Sequence, residues 1–396
     1  MIGNKTKLRC VLIAGGVNPN MVGGAPISIL AWVKAMGADK YWLVCSKDSP
    51  RIKNGVSFAS LGHISFNPLF MDFSIGSTVK NWIDAFKVLK YVAFNHLGLR
   101  KKKFHNTIKI NHGHWYIGAN IIVVRFLLKS YLQKLDEVGM AKNKLARFLD
   151  LKTRVLLWIE KLMFSSKKTS YIIALSHIGA NEVKTMYHPS GDIRVIENGI
   201  DKDKFIFQPN VREKLRAKFG IKKKDICVLF PGGNMLRKNV KIFLAVANKN
   251  IQKNIHFFIV AKDSEKALLE KEHTLDKVSF LPWTSNFVDY LSFADIMIFP
   301  SIYDTGPKTV PEAIETGMYV ITTANCGISE KMTLLHGHVV HNVCCVDEYI
   351  SACQYFKKMV RLNKFKRRNV PSICKTWDEV LVEIKKLCTE IEGKMK

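Results

Sequence analysis

Unbroken apolar runs recur along the chain: Leu8 to Ala14 (LRCVLIA), Tyr41 to Cys45, Tyr171 to Leu175, Ile226 to Phe230, His256 to Ala261, Val278 to Leu281, Ile296 to Phe299 and the YVITT run ending at Thr323. Segments of helical composition lie between them: Pro26–Met36, Ser77–Leu97, Asn143–Phe164, Ser264–Lys271, Asn286–Phe293 and Pro311–Thr316. Short runs without polar alternation read as strands covered on both faces, and their alternation with helices predicts doubly wound parallel sheets. Within Ser77–Leu97, Val79, Ile83, Phe86, Leu89 and Ala93 recur at helical spacing. A final amphipathic helix, Trp377 to Ile391, carries Trp377, Val380, Ile384 and Leu387 on one side.

A chain of 396 residues exceeds what one hydrophobic core usually serves, so two domains are expected. The pattern places the first at residues 1–205 and the second at 206–375, with residues 376–396 as a terminal helix. The lysine-rich segment Val211–Lys224 reads as surface linker between the domains. Hydrophobic residues make up 47% and charged residues 24%, a globular balance. The longest apolar stretch, Trp115 to Leu128, is broken by Arg125, which predicts no membrane span, and the N-terminus does not read as a signal peptide. Nine cysteines without a CxxC pair or zinc-type spacing, with Cys10, Cys45 and Cys227 inside apolar runs, predict reduced buried thiols and a cytoplasmic chain.

The charge changes this picture. The chain carries a net +28, and residues 1–200 hold 29 Lys and Arg against 11 Asp and Glu, or +18 of it. Such a field draws anionic membrane, acidic substrates or nucleic acid, but no nucleic-acid-binding motif is present, so nucleic acid is the weaker partner. The helix at 77–97, with the basic run Arg100–Lys103 after it and further cations such as Lys142, Lys144, Arg147, Lys152 and Arg154, fits peripheral contact with an anionic inner-leaflet surface. An ordinary core-facing helix is the competing reading.

Candidate chemistry concentrates in Pro300–Val320, PSIYDTGPKTVPEAIETGMYV. Asp304 and Glu312 bracket a turn from a buried strand into a short helix. At the carboxyl end of a parallel strand such turns bind phosphorylated ligands, and Glu312 could accept hydrogen bonds from ribose hydroxyls. A capping Asp304 and a solvated Glu312 are the plainer alternative. Arg237 and Lys238 in PGGNMLRKN stand at the start of a helix, where the dipole disfavours cations unless they grip an anion such as a diphosphate. Gly-rich GGVNPNMVGGAP follows the first strand, and TIKINHGHWYIG ends a β-like run in His112 and His114.

The Pro-Ser, acid, Gly-Pro, Glu-Ala, Gly series of 300–317 resembles the acid-x7-acid signature of the retaining, nucleotide-sugar-dependent glycosyltransferases of family 4. Through the Gly-rich first loop, the Arg-Lys loop and the Glu-Asn-Gly-Ile-Asp segment at 197–201, the resemblance covers most of the chain. It implies the GT-B fold, two Rossmann-like domains facing a cleft with a C-terminal helix crossing back onto the first. It also implies transfer of a hexose from a nucleotide-diphosphate sugar to a hydroxyl of a glycan or lipid-linked acceptor, as in O-antigen or capsule synthesis. No cofactor or metal ion is implied. By this resemblance His112, Asp304 and Glu312 are the catalytic set, with His114 the runner-up to His112. Gly23, Gly24, Arg237, Lys238, Lys308, Thr309 and Glu312 are the donor-nucleotide set. The chain departs from the family pattern at Asp304, where Glu is usual, and at Glu197, where Pro is usual. A degenerate GT-B protein serving as a basic polysaccharide- or nucleic-acid-binding module, and a GT-B-like epimerase or phosphorylase, are the competing functions.

Overall fold

The computed structural model describes residues 10–14, 41–44, 57–58, 78–100 and, from 105 onward, all but 142–145, 147–148, 251, 273–274, 363–364, 368–369 and 396. The chain divides into two compact units, residues 1–199 with 377–396, and residues 200–376.

The first unit is built on a seven-stranded parallel sheet. Its strands are β1 (Cys10–Ala14), β2 (Tyr41–Val44), β3 (Ser57–Phe58), β4 (Ile108–His112), β5 (Ile121–Val124), β6 (Tyr171–Ala174) and β7 (Asp192–Val195), in the order 3-2-1-4-5-6-7. Its helices are α1 (Thr78–Gly98), α2 (Leu128–Glu137), α3 (Leu151–Phe164) and α4 (His177–Tyr187). The chain reverses its direction of winding between β1 and β4, and that switch point is where open α/β sheets bind ligands. His112 is the last residue of β4, in register with Ala14 of β1.

The second unit opens with α5 (Pro209–Lys218) and carries a six-stranded parallel sheet, order 10-9-8-11-12-13. Its strands are β8 (Ile226–Phe230), β9 (Ile255–Ala261), β10 (Val278–Pro282), β11 (Ile296–Phe299), β12 (Tyr319–Thr323) and β13 (Gly337–Val340). Between them run α6 (Val240–Lys249), α7 (Asp263–Glu272), α8 (Phe287–Phe293), α9 (Thr309–Glu315) and α10 (Val346–Arg361). The period-two rule divides each strand between two cores. Ile226, Val228 and Phe230 pack with Phe243, Leu244 and Phe356 on one face. Cys227 and Leu229 pack with Leu291, Val310 and Ala313 on the other. Burial on both faces is why these strands read as unbroken apolar runs, and each fully buried Leu, Ile or Phe contributes roughly 1.5–3 kcal/mol.

The C-terminal helix α11 (Trp377–Met395) lays Val380, Leu381, Ile384, Leu387, Cys388 and Ile391 on one face of the first sheet, against Leu12, Ile110 and Ile173. Tyr171 donates its hydroxyl to Glu390 at the far end of that helix. Gly199 explains its own identity here: an added Cβ would lie 2.7 Å from the Trp377 Cα. The Asn-Gly pair at 198–199 therefore serves a close approach as well as a turn.

One sequence reading changes, and an open alternative on α1 is narrowed. The lysine-rich segment read as linker, Val211–Lys224, lies as far as Lys218 in α5, the first helix of the second unit. Arg212 and Arg216 of that helix both pair with Asp295, at 2.6 and 3.2 Å, which ties the helix to the sheet. Its basic composition conceals a two-arginine anchor. On α1 the stripe read from spacing points outward: Ile83, Phe86 and Ala93 are exposed, and Ala85, Val88 and Val92 are buried. Small residues lie inward because the neighbouring α3 packs closely there, with Asn81 held by Asp150 at 2.8 Å.

The eight cysteines described are all free, and five of them beyond Cys10 are buried. Cys45 lies outside the described residues, as do Gly23, Gly24, the Pro26–Met36 helix, Lys101 to Lys103, Lys142, Lys144 and Arg147.

Candidate active site

In the second unit the switch point falls between β8 and β11. The loops leaving the carboxyl ends of those two strands carry the predicted residues. β8 runs into Pro231 and then Gly232, whose φ is +54 and whose position would bring a Cβ within 1.8 Å of the Val260 carbonyl oxygen. Only glycine fits, and the turn it makes brings residues 234–239 back across the strand ends. The Asn234 carbonyl accepts from the Lys238 amide at 3.0 Å, which closes the turn. β11 runs into Pro300 and the loop to α9.

The two loops are bonded directly. The Arg237 carbonyl accepts from the Ile302 amide at 2.9 Å and the Ser301 hydroxyl at 3.2 Å. The Arg237 guanidinium donates through Nη1 to the Tyr303 carbonyl at 3.0 Å and to the Asp304 carboxylate. Lys238 donates to the Gly232 carbonyl and holds its ammonium 5.5 Å from the Phe299 ring centre. Burial, with Arg237 beside it, pushes the Lys238 ammonium down to about 8. Burial pushes Glu312 up to about 7 against the opposing pull of Lys308, Lys204 and Lys238. Glu312 lies in the first turn of α9, its amide donating to the Lys308 carbonyl at 3.1 Å, and α9 ends where Gly317 takes φ +72.

Arg237, Lys238, Asp304, Lys308, Thr309 and Glu312 thus occupy one end of one sheet. Among them are an ammonium pushed down toward neutrality and a carboxyl pushed up toward it, each under the other's charge. Strongly shifted groups of this kind mark functional sites. Among the described residues no cluster of three metal-ligating side chains occurs.

His112 belongs to the first unit. It is buried, its Nδ1 lies 3.4 Å from Arg125 Nε, and burial together with Arg125 holds its imidazole well below the usual histidine range. It is neutral at physiological pH and can exchange hydrogen bonds but not supply charge. His114, the runner-up, is instead bound 2.7 Å from Glu160. Glu160 also accepts from the Leu128 amide at 2.8 Å, the Lys129 amide at 3.2 Å and the Tyr187 hydroxyl. Burial alone would raise the Glu160 carboxyl; these donors, His114 foremost, hold it below its ordinary value. That arrangement caps α2 and fixes the loop after β4, so His114 has a structural role.

Sequence reasoning missed Arg125 as the partner of His112 and Glu160 as the hub under the loop. The single arginine in IIVVRFLL was the available signal for the first, since a cation breaking an apolar run needs a partner. Glu160 gave none, because its donors come from segments far apart in the chain.

The two sheets, each doubly wound with helices, are those of the GT-B glycosyltransferases. Residues 211–356 match the family model described as glycosyl transferases group 1. It is 27% identical over 177 residues to the lipopolysaccharide glucosyltransferase WaaG of Escherichia coli (strain K12), a match covering 42% of this chain and 47% of that protein. It is likewise 27% identical over 180 residues to the Escherichia coli UDP-Gal:alpha-D-GlcNAc-diphosphoundecaprenol alpha-1,3-galactosyltransferase, covering 42% of this chain and 45% of that protein. The matched segment thus spans about half the length of these curated relatives. In fold, the chain superposes on the crystal structure of WaaG with a TM-score of 0.69 at 18% identity, over 97% of this chain and 98% of the other. On sucrose-phosphate synthase of Thermosynechococcus elongatus the TM-score is 0.74 at 16% identity, over 98% and 100%.

Proposed function

We propose that this protein is a retaining glycosyltransferase that moves a hexose from a nucleotide-diphosphate sugar onto a hydroxyl of a glycan or lipid-linked acceptor in surface-polysaccharide synthesis. The observation that supports it most is the placement of Lys238 and Glu312 at the same end of the second sheet, one shifted toward neutral from above and the other from below, inside the segment that matches the group 1 model. In this reading Glu312 accepts the ribose hydroxyls, and Lys238 with Arg237 takes up the charge that grows on the departing diphosphate. The sugar carbon then carries oxocarbenium character, and fixed charge of opposite sign on the leaving group is the main source of acceleration. A half-buried Lys238 is suited to this because its field is poorly screened. Neutral His112 of the first unit is assigned to the transferred sugar as a hydrogen-bond partner, and Gly23 and Gly24 to the diphosphate. Lys308 and Thr309 belong to the nucleotide side.

A thermal-shift screen of UDP, GDP, ADP and CDP tests the reading. One base should raise the melting temperature of the wild type and not of Glu312→Ala or Lys238→Ala, because only a ligand that binds the folded state stabilises it. No shift with any of the four, at saturating concentration, would favour a degenerate binding module.

The acceptor side bears on location. No described helix is long and apolar enough to cross a membrane. We propose that the outward face of α1 rests on anionic lipid. Trp82, Ile83, Phe86 and Leu97 are 49–64% exposed on it, with Lys90 among them, while α3 alongside exposes Trp158 between Arg154 and Lys161. Aromatic and aliphatic side chains among cations match an anionic headgroup layer in both polarity and charge. The protein should sediment with phosphatidylglycerol vesicles and not with phosphatidylcholine vesicles, and the double variant Trp82→Ser, Phe86→Ser should remain in the supernatant.

A further inference from the structure

The first acid of the pair does not reach outward as a free carboxylate. Asp304 is only 9% exposed, its Oδ2 accepts from Arg237 Nη1, and its Oδ1 lies 3.3 Å from the Gly306 amide that donates to it. Its backbone is pinned as well: the Asp304 amide donates to the Asn325 carbonyl at 3.2 Å, and its carbonyl accepts from the Gly327 amide at 2.8 Å. The residue therefore stands where the loops after β8, β11 and β12 are bonded together. Arg237 is fixed by the same junction, through its carbonyl to Ile302 and Ser301 and through Nη1 to Tyr303.

Resting on the reading above, we infer that Asp304 is a positioning residue, whose carboxylate orients the Arg237 guanidinium toward the diphosphate instead of contacting the transferred sugar. An arginine side chain has many rotamers, and fixing one before the ligand arrives removes an entropy cost from binding. The ion pair does this while balancing one of two adjacent cations, since Arg237 and Lys238 oppose each other's charge. Aspartate suits the task better than the longer glutamate, because its carboxylate stays against the loop that carries it. The departure from the family pattern at 304 becomes a division of labour: Asp304 acts on Arg237, and Glu312 on the ligand.

A double-mutant cycle decides it. Affinities of the wild type, Arg237→Ala, Asp304→Ala and the double variant are measured by calorimetry for whichever of UDP, GDP, ADP or CDP binds, and for the corresponding monophosphate. Each single variant should lose roughly 10- to 100-fold in affinity for the diphosphate. The double variant should lose no more than Arg237→Ala alone, and monophosphate affinity should change far less. Asp304→Asn, which keeps an acceptor of the same shape, should recover part of the loss, and thermal unfolding of each variant confirms that it is folded. Losses that multiply in the double variant would overturn the inference. So would an Asp304→Ala protein with unchanged diphosphate affinity but a raised KM for the sugar nucleotide, which would put the acid on the sugar. A wild type that binds none of the nucleotides would overturn the nucleotide-sugar reading and this inference together.

Discussion

The two units carry sheets of the same winding, and the ends of their switch-point strands differ in one respect. In the second unit the loops after β8 and β11 hold groups displaced into the range near neutrality, Lys238 at about 8 and Glu312 at about 7. In the first unit the strand end holds a histidine driven neutral, over a buried Glu160 that four donors keep ionised. Burial is the common cause, and the partners make the difference. Glu160 has enough donors to overcome its desolvation, so it is stable and silent. Around Glu312 and Lys238 burial outweighs the opposing charges, so they remain in a state that a ligand can complete. The difference between the two strand ends is whether burial or the partners prevail.

That contrast can be broken by substitution. Glu160→Ala would leave His114, Tyr187 and two α2 amides without their acceptor, and should cost about 3–5 kcal/mol of stability by denaturant unfolding. Because the Glu160 carboxyl is held below its unfolded value, its contribution is present above the unfolded pKa and is lost as pH falls through the folded one. A wild type whose stability stayed flat on acidification, with Glu160→Ala parallel to it, would remove Glu160 from the account. Gly232→Ala should cost about 3 kcal/mol, since it meets the Val260 carbonyl and holds a positive φ.

Substitutions at the other end of the comparison should do the reverse. Lys238→Met should stabilise the unliganded protein at pH 7 by about 1 kcal/mol while abolishing nucleotide-dependent stabilisation, because its charge costs energy until an anion arrives. A destabilised Lys238→Met protein would mean that the cation is structural. The pH dependence of nucleotide affinity is a smaller effect. Glu312 must be ionised, which favours pH above about 7, and Lys238 must be charged, which favours pH below about 8. Affinity should therefore peak between those values, and Glu312→Gln should flatten the acid limb alone. The unliganded stability has the opposite sign: raised Glu312 makes it fall as pH climbs from the unfolded carboxyl value through 7, and lowered Lys238 lets it recover from 8 toward the unfolded lysine value. The smallest effect is expected at His112. His112→Gln should leave nucleotide affinity within about twofold, since a neutral group makes no charge-assisted bond to phosphate, while lowering transfer.

The sequence by itself determined the winding of both sheets, because strands covered on two faces must be apolar throughout and parallel strands need helices between them. It also determined the composition of the β8 and β11 loops, including Lys238, Glu312 and Gly232. It misjudged α5 and left the direction of the α1 stripe open, since composition reports polarity and spacing but not which neighbour lies alongside. The Arg237–Asp304 pair, the Arg125–His112 pair and the Glu160 hub were decided only by tertiary structure. Their members are separated in sequence by 67, 13 and up to 46 residues, and no local pattern records a bond made when distant loops meet. The shifts of Lys238 and Glu312 have the same origin, because desolvation depends on what the whole unit packs around a side chain.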